Sequence, residues 1–231
     1  MKCIIPLAGS DIYTEEYGLK PAYEIDGEPL LVKAIRSRSW YGETLFEEDL
    51  IFVIRNFEQL DKLELFLKSN FPKKRHVIIS ELTKGALMSV LAGAALVNDF
   101  SEPIVVDLVD ILFSSNLSPV EIFNENKSIN GIIPYFHSDN PKYSYLKLDE
   151  NSNVTVTREK EVISNYASAG VYFFNNLQTF LNAAIFSINQ FAEVAHNDLL
   201  FLCPSYNGII TKKNKVKAVK VNVQDEISLL F

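Results

Sequence analysis

Short apolar segments alternate along the first half of the chain with segments in which apolar residues recur at helical spacing. The strand-like segments are Cys3–Leu7, Leu50–Ile54, His76–Ile79 and Pro103–Val106, and the helical ones are Leu30–Ser39, Gln59–Asn70 and Gly85–Val97. Such alternation is typical of a parallel sheet that helices cover on both faces.

After about residue 130 the pattern favours strands that follow one another directly. They are predicted at Gly131–Phe136, Ser144–Leu148, Val154–Thr157, Ala169–Phe174 and Val216–Asn222, with a hairpin turn at Asp149–Asn153 and helices at about Leu177–Gln190 and Asn197–Lys212. No Pro-, Gly- or Ser-rich linker separates the halves. We therefore predict one α/β domain over residues 1–231, with a mixed, mainly parallel sheet flanked by helices.

Composition excludes several classes of function. The net charge of −7 and the pI near 5.1 oppose binding to a nucleic-acid backbone. No apolar run reaches the roughly 18 residues of a membrane span, and the N-terminus lacks the features of a signal peptide, so a cytoplasmic protein is expected. Cys3 and Cys203 lie far apart in apolar surroundings and are interpreted as core thiols.

Four residues fall at the carboxyl ends of the predicted parallel strands. In open sheets of this kind ligands bind at that edge, where helix N-termini present free N–H groups to anions. The residues are Gly9, Lys20, Gly85 and Asp110. Their shared position predicts a site for an anionic ligand.

The loop after the first strand has the composition of a phosphate-binding loop. Leu7, Ala8 and Gly9 precede a turn, and small residues let backbone amides approach a phosphate closely. Lys20 stands before Pro21, which favours an extended backbone from which an ammonium can reach a phosphate. An ordinary turn and a solvated lysine are the structural alternative.

Two further stretches carry candidate chemistry in the first half. Gly85 opens a helix of small residues, where it either admits a flat ring or serves close helix packing. Asp107 and Asp110 follow a buried strand, and carboxylates in that position are costly to bury unless a cation accompanies them. Mg²⁺ satisfies that requirement, whereas the alternative is that one aspartate caps a turn at Ser114 and Ser115.

In the second half, Glu159 and Lys160 place an acceptor and a cation side by side. This pair suits a ligand that carries both hydroxyls and a phosphate. A charged, exposed turn over Arg158–Glu161 accounts for the same residues without a ligand.

Taken in order, these stretches resemble the sugar-phosphate nucleotidyltransferase family over nearly the whole chain. "KPAYEIDGEPLL" (20–31) is similar to its lysine-bearing segment and "ELTKGALMSVLAGA" (81–94) to its base-binding segment. "IVVDLVDILF" (104–113) resembles its strand ending in the metal aspartate, and "REKEVISNYASAGVYFF" (158–174) its sugar-site segment. "LCPSYNGII" (202–210) is similar to a segment of members from surface or capsular polysaccharide gene clusters.

The resemblance implies a Rossmann-like fold of the GT-A type and a reaction that joins an NTP to a sugar 1-phosphate, or a related phosphorylated metabolite, with release of pyrophosphate. Residues 1–130 would form the nucleotide-binding half and residues 131–231 the sugar-phosphate half. On the nucleotide side, Leu7, Ala8 and Gly9 would cradle the triphosphate, Lys20 would contact the phosphates as a catalytic residue and Gly85 would lie against the base. Ser80 stands where a base-reading glutamine is often found.

The resemblance also assigns the metal and the acceptor. Asp110 would bind catalytic Mg²⁺, with help from Asp107. Glu159 would bond a sugar hydroxyl, Lys160 would meet the acceptor phosphate and Gly170 would leave room for the sugar ring. Association into homo-oligomers is common among similar proteins, so the resemblance is compatible with a homo-oligomer.

Two departures from the family pattern bear on activity. The family loop carries an arginine, whereas Gly9 is followed by "SDIYTEEYG", with Asp11 and two glutamates. Arg55, after the second strand, is a conceivable substitute. The C-terminal metal aspartate of the family aligns with Lys220, and Asp225 takes its place only if the register slips.

Three functions stay open at this point. An active nucleotidyltransferase explains most of the retained residues. A nucleotide- or sugar-binding module without turnover explains the missing arginine. A GT-A glycosyltransferase would use Asp107 and Asp110 on the metal of a nucleotide sugar, but the Glu159–Lys160 pair fits acceptor-phosphate recognition better.

Overall fold

A computed structural model describes residues 1–225 of the chain. Its strands in chain order are β1 (Lys2–Leu7), β2 (Tyr13–Thr14), β3 (Gly18–Leu19), β4 (Glu24–Ile25), β5 (Glu28–Pro29), β6 (Leu50–Arg55), β7 (Arg75–Ile79), β8 (Ile104–Asp107), β9 (Leu112–Ser114), β10 (Ile129–His137), β11 (Tyr145–Leu148), β12 (Val154–Arg158), β13 (Tyr166–Ser168), β14 (Val171–Phe174), β15 (Lys215–Lys220) and β16 (Asn222–Asp225).

The helices cover the two faces of the main sheet. They are α1 (Leu30–Ser37), α2 (Leu60–Asn70), α3 (Ala86–Ala94), α4 (Pro119–Glu125), α5 (Leu177–Asn189), α6 (Phe191–Val194), α7 (Leu202–Ser205) and α8 (Asn207–Ile210). Short 3-10 helices lie at Ser10–Ile12, Lys20–Ala22 and Glu47–Asp49.

The main sheet has ten strands. Nine of them follow the order β12-β11-β13-β10-β14-β8-β1-β6-β7, and the tenth, β15, also pairs with β10. Strands β8, β1, β6 and β7 are parallel, which is the arrangement predicted from the first half of the sequence. Strands β10 to β14 pair antiparallel, and β14 joins the two parts by pairing with β8. The carboxyl ends of β1 and β8 therefore lie side by side.

Side-chain alternation explains why helices are needed on both faces. In β1, Cys3, Ile5 and Leu7 face one apolar cluster, which α1 and α2 cover. The intervening Ile4 faces a second cluster, which α3 and α5 cover. Because both faces of the parallel strands are buried, their sequences are almost continuously apolar.

The structure confirms the predicted α/β fold in one domain with a mixed sheet flanked by helices. The predicted hairpin at Asp149–Asn153 joins β11 and β12, and its turn is closed by the Asp149 carboxylate, which accepts N–H groups from Asn151 and Asn153. Both cysteines are buried, as predicted. Over residues 1–225, no helix combines the length and the apolar character that a membrane crossing requires.

The helix predicted over Asn197–Lys212 is wrong. Asn197 and Asp198 adopt positive φ angles and form a tight turn between His196 and Leu199, whose backbones bond to each other. The chain then forms only the two short helices α7 and α8, with Pro204 inside the first of them. Asparagine and aspartate tolerate this left-handed backbone, so local turn chemistry overrides the apolar periodicity.

Candidate active site

A cavity of about 360 Å³ opens at the carboxyl ends of β1 and β8. The loop after β1, the start of α1, the segment before α3, the turn after β8 and the segment around Leu199 and Phe201 form its walls. Many of the lining side chains are apolar, and Lys20 is the only basic residue among those that the structure places in the lining. The cavity thus combines an apolar surface with a small charged centre.

Six of the residues predicted for the nucleotide and its metal ion meet in this cavity. They are Leu7, Ala8, Gly9, Lys20, Gly85 and Asp110. Ser80 is exposed and does not line the cavity, so the wall on that side is formed by Leu82 and Thr83 instead. Arg55, the conceivable substitute for the family arginine, lies outside the lining and donates to the carbonyl of Asn56.

Lys20 lies between two carboxylates at the charged centre. Its Nζ atom is 2.7 Å from Asp110 Oδ1 and 2.7 Å from Asp11 Oδ2. The lysine is 9% exposed, whereas the side chains of Asp11 and Asp110 are 52% and 30% exposed. Asp11, which the sequence identifies only as a departure from the family loop, is therefore a direct partner of the catalytic candidate.

The electrostatic interactions among Lys20, Asp11 and Asp110 favour the charged form of the lysine. Burial on its own lowers the pKa of Lys20, but the Asp110 and Asp11 carboxylates outweigh burial and raise the pKa above its usual value. Burial raises the pKa of Asp110, the Lys20 ammonium opposes this effect, and Asp11 and Asp107 add to it. One cation and two carboxylates leave the centre with a formal excess of negative charge.

Asp107 is held by protein donors. Arg38 Nε lies 2.8 Å from Asp107 Oδ2, Arg38 Nη2 lies 3.0 Å from Oδ1, and the Val109 amide donates to Oδ1 at 2.9 Å. Asp107 is 2% exposed and does not line the cavity. The prediction that Asp107 helps to bind Mg²⁺ is therefore corrected, because both of its carboxylate oxygens already accept hydrogen bonds from protein groups.

The turn between Asp107 and Asp110 has a strained backbone. Val109 has a φ of +55°, a left-handed conformation that is unfavourable for a β-branched residue. Its side chain is nearly fully buried. The turn directs the next residue, Asp110, towards Lys20.

An alanine variant is usually more stable than a glycine variant, and we expect the strain at position 109 to reverse this order of stability. Both Val109→Ala and Val109→Gly lose buried apolar surface, but only glycine relieves the left-handed conformation, so Val109→Gly should be more stable than Val109→Ala by about 1 kcal/mol. Urea unfolding of both variants measures the difference. At Val106, a buried residue of β8, the glycine variant should be the less stable one, and the same order at both positions would contradict the assignment of strain.

The donor set at the charged centre suits a hard cation that arrives with its substrate. Carboxylate oxygens of Asp110 and Asp11 face the same point, because both contact Lys20 Nζ. Within the part of the chain that is described, no three His, Cys, Asp or Glu side chains form a metal cage. Mg²⁺ is commonly held by one or two carboxylates and substrate phosphates, so these residues fit it in that form.

Lys220, which stands where the family has its second metal aspartate, and Asp225, the candidate in a shifted register, do not line the cavity. Lys220 ends β15, opposite Tyr135 of β10, and Asp225 is exposed and pairs with Leu112 through β16 and β9. The alignment of this C-terminal segment extended to Ile227, which lies outside the described residues.

Gly85 is fixed by its contact with a segment that sequence reasoning missed. Its φ is +106°, and an added Cβ would overlap the carbonyl oxygen of Leu200 and lie 2.6 Å from the Leu200 amide nitrogen. The Leu200 amide donates to Lys84 and the Leu200 carbonyl accepts from Leu87. Residues 199–201 are thereby held beside the start of α3, where Leu199 and Phe201 line the cavity.

The candidates for the acceptor lie beside a second cavity, of about 370 Å³. Glu159 and Lys160 line it together with Glu193 and His196. Lys160 has a φ of +51°, and its Nζ lies 5.2 Å from the ring centre of Phe201, which lines the first cavity. The two cavities therefore adjoin at Phe201.

Gly170 occupies the break between β13 and β14. Its φ is +72°, and its carbonyl accepts the Leu108 amide at 3.0 Å. Because Leu108 belongs to the strained turn, Gly170 supports that turn from the neighbouring strand. Its predicted role in leaving room for a sugar ring remains a prediction.

The carboxyl group of Glu159 has a pKa well above the usual value of a glutamate. Burial raises its pKa to about 7, although the Ser144 hydroxyl, which donates to Glu159, and the Lys160 ammonium oppose the shift. The group therefore exchanges between carboxylate and carboxylic acid near neutral pH.

We expect Glu159 to make the protein less stable as the pH rises. Between the unfolded value of 4.5 and about 7 the folded chain retains a proton that the unfolded chain releases. The contribution of this group is therefore complete below pH 4.5 and is lost as the pH rises through 7, by about 1–2 kcal/mol for a partly solvated group. Urea unfolding at pH 5 and pH 8 measures the loss.

Glu159→Gln should remove this part of the pH dependence, because glutamine does not titrate. Glu150→Gln, at an exposed turn, should retain it. An equal pH dependence in the wild type and Glu159→Gln would contradict the assignment.

A family model described as nucleotidyl transferase matches residues 45–199, which is more than half of the chain. No match to a curated protein was found.

Similar solved structures include a nucleoside-diphosphate-sugar pyrophosphorylase from Vibrio cholerae RC9, with a TM-score of 0.75 and 22% identity over 94% of this chain and 91% of that chain. A protein from Bacillus anthracis described as a glucose-1-phosphate thymidylyltransferase, in complex with sucrose, has a TM-score of 0.68 and 16% identity over 97% and 88% of the two chains. A UDP-glucose pyrophosphorylase complexed with UDP-glucose has a TM-score of 0.69 and 18% identity over 99% and 94%.

At these identities the structural likeness establishes the fold alone. The match to the family model is a different kind of finding, because it covers most of the chain, including the strand that leads to Asp110 and the segment around Glu159. By that match, the chain belongs to the nucleotidyl transferase family.

Proposed function

We propose that the protein joins an NTP to a sugar 1-phosphate, or to a related phosphorylated metabolite, and releases pyrophosphate. The observation that carries this proposal is the meeting of the loop Leu7–Gly9, Lys20, Gly85 and Asp110 in one cavity at the carboxyl ends of β1 and β8. The loop and Lys20 contribute groups suited to phosphates, and Asp110 contributes a carboxylate, which is the type of ligand that a divalent cation prefers.

The nucleotide is proposed to lie across the first cavity. Its triphosphate would be placed at Ala8, Gly9 and Lys20, and its base against the apolar wall near Leu82 and Gly85. The hydroxyls of Thr83 and Ser89, which lie 2.8 Å apart, are polar groups available on that wall. They are the candidates for contacts to the edge of the base.

Mg²⁺ is proposed to bind at Asp110, where it would neutralise charge on the phosphate oxygens. Asp11 is the second carboxylate at this point. Because both carboxylates now contact Lys20, displacement of either contact by the cation would turn the lysine towards the phosphates. The cation and the nucleotide are therefore expected to bind together.

The acceptor is proposed to lie between the two cavities, with its phosphate near Lys160 and its hydroxyl groups near Glu159. An oxygen of this phosphate would attack the α-phosphorus of the NTP. The bond between the α-phosphorus and the bridging oxygen would break, and pyrophosphate would leave. The protein residues contribute by orienting the two substrates and by balancing charge.

A second function, binding without turnover, is favoured by the composition of the charged centre. Lys20 is neutralised by two carboxylates, and the described lining contains no arginine. A loop that lacks such a donor loses stabilisation of the leaving pyrophosphate, which is typically worth several kcal/mol in the transition state. The family match favours nucleotidyl transfer over glycosyl transfer.

Release of pyrophosphate decides between these functions. The purified protein is incubated with Mg²⁺, each of CTP, UTP, GTP, ATP and dTTP, and a pool of sugar 1-phosphates and other phosphorylated metabolites. Release with one pair of substrates supports the transferase and identifies them. Calorimetric binding of an NTP or a nucleotide sugar without any release supports the binding module.

The resemblance of residues 202–210 extends the proposal to surface or capsular polysaccharide biosynthesis. Under this proposal the product is an activated sugar that a later glycosyl transfer consumes. Identification of the accepted sugar phosphate in the same experiment tests it, because a sugar that is found only in central metabolism would count against this role.

A further inference from the structure

A buried ion pair lies directly behind the turn that carries Asp110. Arg38, the residue after α1, is 3% exposed, and its partner Asp107, the last residue of β8, is 2% exposed. The guanidinium lies over the ring of Phe113, 4.0 Å from its centre. The pair therefore joins a helix end to the sheet where the strained turn begins.

One guanidinium holds both ends of this turn. Arg38 contacts both carboxylate oxygens of Asp107 and, through Nη2, donates to the carbonyl of Ile111 at 3.2 Å. Asp107 in turn accepts the amide of Val109. Asp110 lies between these points and extends towards the cavity.

Stability alone is a weak explanation for such a pair. Removing two charges from water is costly, and well-packed apolar residues of similar size are often as stable as a buried ion pair. Within the described residues, the Nη1 atom of Arg38 is also buried without a hydrogen-bond partner. The pair nevertheless binds a backbone amide in a left-handed conformation that its residue, Val109, does not favour.

We propose that Arg38 and Asp107 are positioning residues, which hold the turn over residues 108–110 in its strained form so that the Asp110 carboxylate faces Lys20 and the cavity. The effect on turnover rests on the function proposed above. The effect on geometry does not, because it concerns only the contact between Asp110 and Lys20.

The double variant Arg38→Met/Asp107→Leu separates positioning from stability. It replaces the ion pair by apolar residues of similar length, so that no single buried charge is left behind. It also removes the acceptor for the Val109 amide and the donor to the Ile111 carbonyl. Arg38→Lys is a second variant, which keeps the charge opposite Asp107 but lacks the planar group that contacts both ends of the turn.

The measurements are the Mg²⁺ concentration for half-maximal pyrophosphate release, kcat, and a thermal unfolding curve. We expect the double variant to fold and to need about 10–100 times more Mg²⁺ or to lose about as much in kcat, as is typical when a group that orients a metal ligand is removed. Arg38→Lys should lie between it and the wild type. Unchanged Mg²⁺ dependence and kcat in both variants would overturn the proposal.

Tyr206→Phe is the matched control. It also removes a buried polar contact, because the Tyr206 hydroxyl donates to the Phe173 carbonyl at 2.8 Å, but the residue does not line the cavity. It should lower stability without changing the Mg²⁺ dependence. A comparable change in this control would mean that any loss of stability has the same effect, and the proposal would fail.

Crystal structures of the wild type and both variants provide a readout that is independent of activity. The proposal expects the distance of 2.7 Å between Asp110 Oδ1 and Lys20 Nζ to be lost in the double variant. If the wild type releases no pyrophosphate, the proposed function fails while this measurement still decides the positioning role. A retained contact in the double variant would overturn it.

Discussion

Replacing Asp110 by asparagine is expected to lower the rate of pyrophosphate release by about a thousandfold or more. Asparagine has nearly the same shape but lacks the negative charge that pairs with Lys20 at 2.7 Å and that is proposed to bind Mg²⁺. A thousandfold loss corresponds to about 4 kcal/mol of transition-state stabilisation, which is the usual scale for one well-placed electrostatic group. Steady-state kinetics with the accepted substrates measures it.

Asp11→Asn is the matched control, because Asp11 contacts the same ammonium at the same distance. Its side chain is half exposed and belongs to the loop after β1, so that water replaces part of what is lost. We expect a loss of less than about tenfold, the range of a weakened surface ion pair. Similar losses for both variants would show that the site depends on total charge and not on Asp110 as a ligand.

Binding measurements show which step the Asp110→Asn substitution affects. Calorimetry should show weaker binding of the NTP in the presence of Mg²⁺ and little change without it, because the lost group acts on the cation. A thermal unfolding curve close to that of the wild type excludes loss of fold as the cause. Full activity in a folded Asp110→Asn variant would remove Asp110 from the proposed mechanism.

The sequence was sufficient to predict the meeting of Lys20 and Asp110, although 89 intervening residues separate them. The reason is topological, since the carboxyl ends of neighbouring parallel strands share one edge of a sheet. Apolar periodicity identified β1 and β8, and the loops that follow these strands had to converge. The resemblance to a family supplied roles for the residues but was not needed to bring them together.

The contacts of Asp107 could not be predicted in the same way. Its partner Arg38 follows a helix 69 positions earlier, and neither residue has a local pattern that distinguishes an ion pair from a metal ligand. Two carboxylates spaced three residues apart after a strand fit both interpretations equally. Only the three-dimensional packing of α1 against the sheet shows which one the fold uses.

The segment that closes the cavity was missed for a different reason. The spacing of the apolar run from Leu199 to Cys203 is compatible with a helix, so the sequence predicts one there. The neighbouring residues Asn197 and Asp198 predict a tight turn instead, because asparagine and aspartate tolerate the positive φ angles that they adopt here. That turn brings Leu199 and Phe201 to the cavity and Leu200 to Gly85.

Gly85→Ala is expected to destabilise the protein by roughly 3–5 kcal/mol, the range of substitutions that force a backbone displacement. An alanine Cβ would overlap the Leu200 carbonyl oxygen, so the segment over residues 199–201 must move and its hydrogen bonds to Lys84 and Leu87 must break. The unfolding midpoint should fall by about 10 °C, given about 2–4 °C per kcal/mol for a chain of this size. Thermal and urea unfolding measure both quantities.

Gly42→Ala is the control for backbone strain alone. Gly42 also has a positive φ, of +86°, but within residues 1–225 no atom beyond its own two chain neighbours lies within 4 Å of the position that a Cβ would occupy. It should cost only about 1 kcal/mol. A loss as large as that of Gly85→Ala would assign the whole effect to strain and none to Leu200.

The Gly85→Ala variant also separates the two interpretations of Gly85. If glycine is needed at this backbone conformation only so that a base can lie against it, Gly85→Ala should lose no more than the strain of about 1 kcal/mol expected for Gly42→Ala and should mainly raise the KM for the NTP. If glycine is needed for the contact with Leu200, stability falls first, and the KM rises because Leu199 and Phe201 lose their places in the cavity wall. We expect the second result, since the overlap with the Leu200 backbone exists without any bound nucleotide.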